Sequence, residues 1–215
     1  MEAFVLTPVE ARAVAALVEK SIATPQYYPM TVNALRAAAN QKNARSPVMA
    51  LYEGEVETAL RRLAELKFVA RDDAGSRVAK WRQRFGAELL LKPPALAVLV
   101  ALMLRGPQTL AEIRASAAVL GGPESAAEVQ AVLGALADRA QPLVTAMARQ
   151  PGQSAQRFAH LLCGEVVDAA PVAAALEAAS AVARSAPASR IDALEARVAE
   201  LERRLNDLAA ALGEN

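Results

Sequence analysis

Five cations crowd one short stretch of this sequence: Arg71, Arg77, Lys80, Arg82 and Arg84. They interleave with Ala79, Trp81 and Phe85. A strand through this stretch puts Lys80, Arg82 and Arg84 on one face and the apolar residues on the other. A row of cations on a strand can lie along a phosphate backbone, where each neutralised phosphate releases a counterion. A solvated strand face is the plain alternative. A second polar cluster is Asn40-Gln-Lys-Asn-Ala-Arg-Ser46. Lys42 and Arg45, with the amides around them, are of types that bond phosphates, base edges or peptide groups. The segment continues to Tyr52, longer than the three or four residues of an ordinary helix-turn-helix connection, and loops of that length tend to be functional or disordered. The alternative is a polar loop whose Pro47–Leu51 tail tucks into the core. Arg61 and Arg62 on a predicted helix, and Arg149 in the turn Arg149-Gln-Pro-Gly-Gln-Ser154, complete the candidate contacts to nucleic acid or a partner.

Residues suited to catalysis are scarce. His160 is the only histidine and Cys163 the only cysteine, so one chain cannot assemble a His/Cys metal site or a Cys-His nucleophile beyond these two. Carboxylates fall mostly on amphipathic helix faces, and no glycine-rich phosphate cradle is present. The expectation is a protein that is not an enzyme, with no cofactor and no metal.

The elements that must carry the cations form a repeat. Each copy opens on an apolar helix, Thr7–Glu19 or Pro94–Leu104, and continues with a short Thr-led helix, Thr31–Arg36 or Thr109–Arg114. A third helix follows, Glu55–Leu63 or Glu128–Leu136, and then a hairpin whose second strand reads Arg77-Val-Ala-Lys-Trp81 or Arg157-Phe-Ala-His-Leu161. That alignment matches His160 with Lys80 and predicts that His160 points outward. Thr7…Glu10, Thr109…Glu112 and Ser125…Glu128 are capping boxes. Three helices and a hairpin is the order of a winged helix, a helix-turn-helix variant. The fold class expected is mainly α with small β-hairpins: two tandem winged-helix domains, residues 1–86 and 87–165. An Ala/Pro/Ser-rich connector, 166–189, and a coiled-coil helix, 190–213, follow. The helix at Pro94–Leu104 has no polar face, so it is expected to pack on its own domain and also on the first unit or another protomer.

Charge tempers the nucleic-acid reading. The chain has 215 residues with 24 Lys+Arg against 23 Asp+Glu. The net charge is +4 over residues 1–86, zero over 87–165 and −3 over 166–215. Both predicted third helices are poorly cationic, which disfavours sequence-specific reading of the major groove. A lone cysteine fits a reducing compartment. The N-terminus lacks a basic leader region, and the longest apolar run is about half a membrane span. A cytoplasmic protein without membrane contact is expected.

The last segment carries a heptad seam: Ile191, Leu194, Val198, Leu201, Leu205, Leu208 and Leu212. β-Branched residues at the early a positions with Leu at d favour two parallel strands. Arg190 and Arg197 at g face Glu195 and Glu202 at e of a parallel partner. A homodimer through this helix is expected; a helix folded back on its own chain is the alternative.

Leu6-Thr-Pro-Val-Glu-Ala-Arg12, Val18-Glu-Lys-Ser21, Asn40-Gln-Lys42, Pro47-Val-Met49, Ser76-Arg-Val-Ala-Lys80, Leu104-Arg-Gly-Pro-Gln-Thr109 and Arg149-Gln-Pro-Gly-Gln153 resemble, in order, the motifs of the YceH family of uncharacterised bacterial proteins. The resemblance covers about residues 5–165. It implies two winged-helix domains and carries over no established activity or catalytic residue. The leading expectation for function is DNA association, with a regulatory role, by the first wing and the 40–46 loop. The alternative is an adapter whose winged helices bind another protein.

Overall fold

The computed structural model describes residues 4–72, 78–148, 155–166, 169–170 and 175. The chain divides into two units, Met1–Ala173 and Ala174–Asn215; the first holds nearly all the described residues. Arg77, Arg149 and the seam Ile191–Leu212 lie outside them.

In the first half, α1 spans Pro8–Ala23, β1 Met30–Thr31, α2 Val32–Ala39 and α3 Glu53–Glu65. The hairpin strands β2, Val69–Asp72, and β3, Lys80–Gln83, and a short α4, Phe85–Glu88, complete it. The second half repeats this order with α5 (Pro93–Arg105), β4 (Gln108–Thr109), α6 (Leu110–Ala118), α7 (Ala126–Ala137), β5 (Val144–Met147) and β6 (Arg157–His160). A strand β7, Ala169–Ala170, follows. The sheets run β1-β3-β2 and β4-β6-β5-β7, with every pairing antiparallel. Mainly helical halves with small antiparallel sheets are consistent with a winged-helix-like fold.

The helices start where local chemistry starts them. Thr7, Thr109 and Ser125 each accept the N–H of a glutamate three residues on, and that glutamate accepts the cap residue's own N–H. Tyr52 supplies no side-chain cap to α3; only the return bond is made, Tyr52 N–H to Glu55 Oε2 at 2.8 Å. β7 pairs with β5 inside the stretch expected to be a connector.

Three expectations about the strands need correction. Each sheet contains a two-residue strand, β1 or β4, just before the Thr-led helix; so short a run has no periodicity to read. Strand β3 ends at Gln83, so Phe85 and Arg84 are not on its two faces. Phe85 opens α4 and packs edge-on against Phe68 at 5.1 Å between ring centroids. The repeat also aligns differently. Thr31 and Met30 pair with Lys80 and Trp81, while Thr109 and Gln108 pair with Arg157 and Phe158. Lys80 therefore corresponds to Arg157, and His160 to Gln83. His160 is only partly accessible rather than outward-facing, and burial lowers its pKa to about 4.

The core is continuous between the halves. Residues 11–18 of α1 and 97–104 of α5 are buried without a break. α5 packs on α6, α7 and β6 of its own half and on α1 of the other, as its lack of a polar face requires. Leu6 N–H donates to Leu162 O at 2.7 Å, and Ser46 N–H to Leu104 O at 2.8 Å. An Arg139 guanidinium N–H donates to Leu89 O at 2.7 Å.

Candidate functional site

The 40–46 loop is mostly committed to its own protein. Asn40 clamps the backbone of Leu51 in both directions, accepting its N–H at 2.8 Å and donating to its carbonyl at 2.9 Å. The Leu51 side chain is buried. Arg45, expected as an exposed contact, has a side chain with 0% exposure. Its guanidinium donates to both Glu19 oxygens, at 2.6 and 3.1 Å, and to Ala38 O at 2.9 Å. Burial raises the Glu19 carboxyl, but hydrogen bonds and charge from Arg45, helped by Lys20, outweigh it and hold the group below its usual range. The reason for the correction is tertiary: α1 brings Glu19 beneath the loop, and a buried guanidinium needs such a partner. Lys42 remains exposed.

Arg12, missed as a candidate, is buried too and donates to Ala39 O and Pro47 O at 3.2 and 2.8 Å. The signal was available, because Arg12 interrupts an apolar run.

The hairpin face is cationic but internally paired. Lys80 and Arg82 share one side of the sheet with Asp72, which stands opposite Lys80 in the register. Arg82 is exposed and ion-paired to Asp72, with Nε at 3.1 Å from Oδ2. Arg71 pairs opposite Trp81 and so lies on the other face. Arg84 leaves the strand and pairs with Glu88 at 3.2 Å. On α3, Arg61 pairs with Glu57 at 3.5 Å and Arg62 with Glu65 at 2.8 Å, all four exposed. Glu53 and Glu55 are exposed on the same helix. The structure thus brings Lys80 and Arg82 together and leaves Lys42, Arg61, Arg62 and Arg84 on other elements.

The second half's third helix differs. The exposed residues of α7 include Ala127, Glu128, Ala131 and Ala135. Beside it runs a groove of about 450 Å³, lined by Leu90, Leu91, Pro94, Ala131, Val132 and Ala135, with Lys92 and Arg139 also on its walls. Leu90 is 83% exposed, a large apolar side chain left in water.

Among the described residues no group of three His, Cys, Asp or Glu could hold a metal ion. No helix among them is long and apolar enough to cross a membrane.

A family model described as "Protein of unknown function, DUF480" matches residues 6–153. The chain is 42% identical over 222 aligned positions to the UPF0502 protein YceH of Escherichia fergusonii, covering 97% of this chain and 98% of that one. The chain belongs to the UPF0502 family, that of YceH. A UPF0502 protein of Geobacter sulfurreducens is 45% identical over 91% of this chain and 90% of its own. One of Burkholderia lata is 44% identical over 94% and 86%. UPF0502 likeness therefore runs past residue 165, where the resemblance read from the motifs ends. No activity accompanies any of these family names.

Proposed function

We propose that this UPF0502 protein is a non-enzymatic dimer of chains, each with two winged-helix domains at 1–86 and 87–165, and that it recognises another protein. The character of the two third helices carries this reading. A DNA-reading winged helix sets its third helix in the major groove, where donors must reach base edges beside phosphates. α3 exposes Glu53, Glu55, Glu57 and Glu65, and both its arginines are already paired to two of them. α7 exposes Ala127, Ala131 and Ala135 next to an apolar groove. Neither helix suits a polyanion. The α7 groove suits an amphipathic helix laid into it. Lys92 and Arg139 on its walls favour a partner helix whose apolar stripe is flanked by Asp or Glu.

DNA association is the second reading, favoured by the joint placement of Lys80 and Arg82 on one sheet face. The Arg82 end of its pair with Asp72 is exposed, and its guanidinium can turn part of its donors to a phosphate. Binding of this kind is salt-sensitive and indifferent to sequence.

Co-purification with the full-length chain from its native host, with half the sample nuclease-treated, tests both. The protein reading expects one nuclease-resistant protein that is lost from Ala131→Arg and retained by Lys80→Ala/Arg82→Ala. Nuclease-sensitive capture that Ala131→Arg leaves intact and Lys80→Ala/Arg82→Ala abolishes overturns it in favour of DNA.

A further inference from the structure

A cleft of about 550 Å³ opens where the end of the 40–46 loop meets the second half. Arg45 and Ser46 line one side; Arg105, Glu112, Ser116 and Arg157 line the other. We propose that this cleft binds a small free oxyanion, a phosphate- or carboxylate-bearing metabolite, as an effector that bridges the two halves.

The size is that of an ordinary ligand site, and the charges select the ligand. Arg45 is already neutralised by Glu19. Arg157 is anchored by an Nη1 hydrogen bond to Pro107 O at 2.8 Å and reaches Glu112 only loosely, at 3.4 Å, while Glu112 Oε2 is committed to the Thr109 N–H at 2.8 Å. Arg105 is exposed and has no ion-pair or hydrogen-bond partner among the described residues. The cleft therefore presents one adjustable guanidinium, Arg105, and one held in place through Pro107 O, Arg157, against one carboxylate held in a helix cap. A guanidinium matches the two oxygens of a carboxylate or phosphate with paired N–H donors.

The frame is organised in advance. Ser46 N–H is fixed on Leu104 O at 2.8 Å. Gly106 takes φ +71° and ψ −157°, a conformation open to glycine, and a Cβ there would meet Ser46 O at 3.6 Å. Behind it the Gln108 amide donates to Ala101 O at 3.0 Å and accepts from Ser116 Oγ at 2.7 Å. A floor whose polar groups are already satisfied spends little ordering itself around a ligand. A concave site suits a compact anion better than the convex rail of phosphates on a duplex.

Calorimetric titration of the full-length chain at constant ionic strength tests this, with inorganic phosphate, pyrophosphate, AMP and citrate as probes. At least one should bind saturably with a Kd below about 1 mM. The three phosphates against citrate distinguish the two oxyanion sources. Arg105→Ala, at an exposed and unpaired site, should leave the ligand-free melting temperature unchanged and weaken binding about tenfold, the loss of a charge-assisted contact. Arg157→Ala should weaken it similarly, and Arg61→Ala, outside the cleft, should not. Absence of saturable binding by all four probes up to about 10 mM, or an unchanged Kd in Arg105→Ala, overturns the proposal. Binding confined to a short DNA duplex and lost in Arg105→Ala also overturns it, and moves the cleft to a nucleic-acid surface.

Discussion

Arg45 and Lys42 stand three residues apart in one polar loop and behave differently. Lys42 is exposed, and exposed charges away from special features change stability by less than about 0.5 kcal/mol when removed. Arg45 is buried against Glu19 and Ala38 O. Removing one member of a buried pair strands the other, so Arg45→Met should cost about 3 kcal/mol, whereas Lys42→Ala should be nearly neutral. Urea denaturation at neutral pH measures both, and equal small effects would return Arg45 to the solvated surface. The acid limb adds a check. Glu19 is held below its usual range, mainly by Arg45 working against burial. A carboxyl lowered in this way contributes stability that is complete above its unfolded value, near 4.3, and lost as pH falls through the folded value. The gap between wild type and Arg45→Met should narrow as pH is taken below about 4.

At the scale of elements, the register of β3 and β6 decides which side chains are equivalent. It places Gln83 and His160 at the same point of their sheets. In both, one buried polar atom, Gln83 Oε1 and His160 Nδ1, lacks a hydrogen-bond partner among the described residues. Burial holds His160 neutral down to about pH 4, from an ordinary value of 6.5. The unfolded chain takes up a proton below about 6.5 and the folded chain does not, so stability drains away as pH falls from 6.5 to 4, by up to about 3 kcal/mol. His160→Gln, which copies the first half, should flatten this part of the pH profile and leave stability at pH 8 nearly unchanged. Denaturant midpoints at pH 8, 6 and 4.5 for both proteins test it. Parallel profiles would mean that His160 is solvated enough to protonate freely.

At the scale of the molecule, the two halves share one core through α1 and α5, closed by the Leu6–Leu162 and Ser46–Leu104 backbone bonds. Self-association is a separate matter and rests on the heptad seam. Three heptads are marginal as an isolated pair; in the proposed parallel dimer, Arg190 and Arg197 would face Glu195 and Glu202 of the partner and add to the Leu, Ile and Val seam. Light scattering at tens of micromolar should give a dimer for the full chain and a monomer for Leu201→Glu and for residues 1–188. A monomeric full chain ends this reading, and a dimer that survives both changes moves the interface to residues 1–165.

Sequence alone determined what is local. Capping boxes at Thr7, Thr109 and Ser125 and the 3.6-residue spacing of apolar side chains are complete within a few residues, so the helices and their repeated order could be read directly. The UPF0502 motifs were legible for the same reason. Tertiary structure decided what depends on distant partners. Arg45 became structural because Glu19, 26 residues earlier, lies beneath it. Arg82 was paired by Asp72 across the hairpin, 10 residues earlier in the chain. The strand register followed from β1 and β4, two residues each, whose pairing comes from packing and leaves no pattern in the chain. The Arg105–Arg157 cleft and the apolar groove beside α7 exist only where separate segments meet, because a cavity is a property of packed surfaces and has no sequence period.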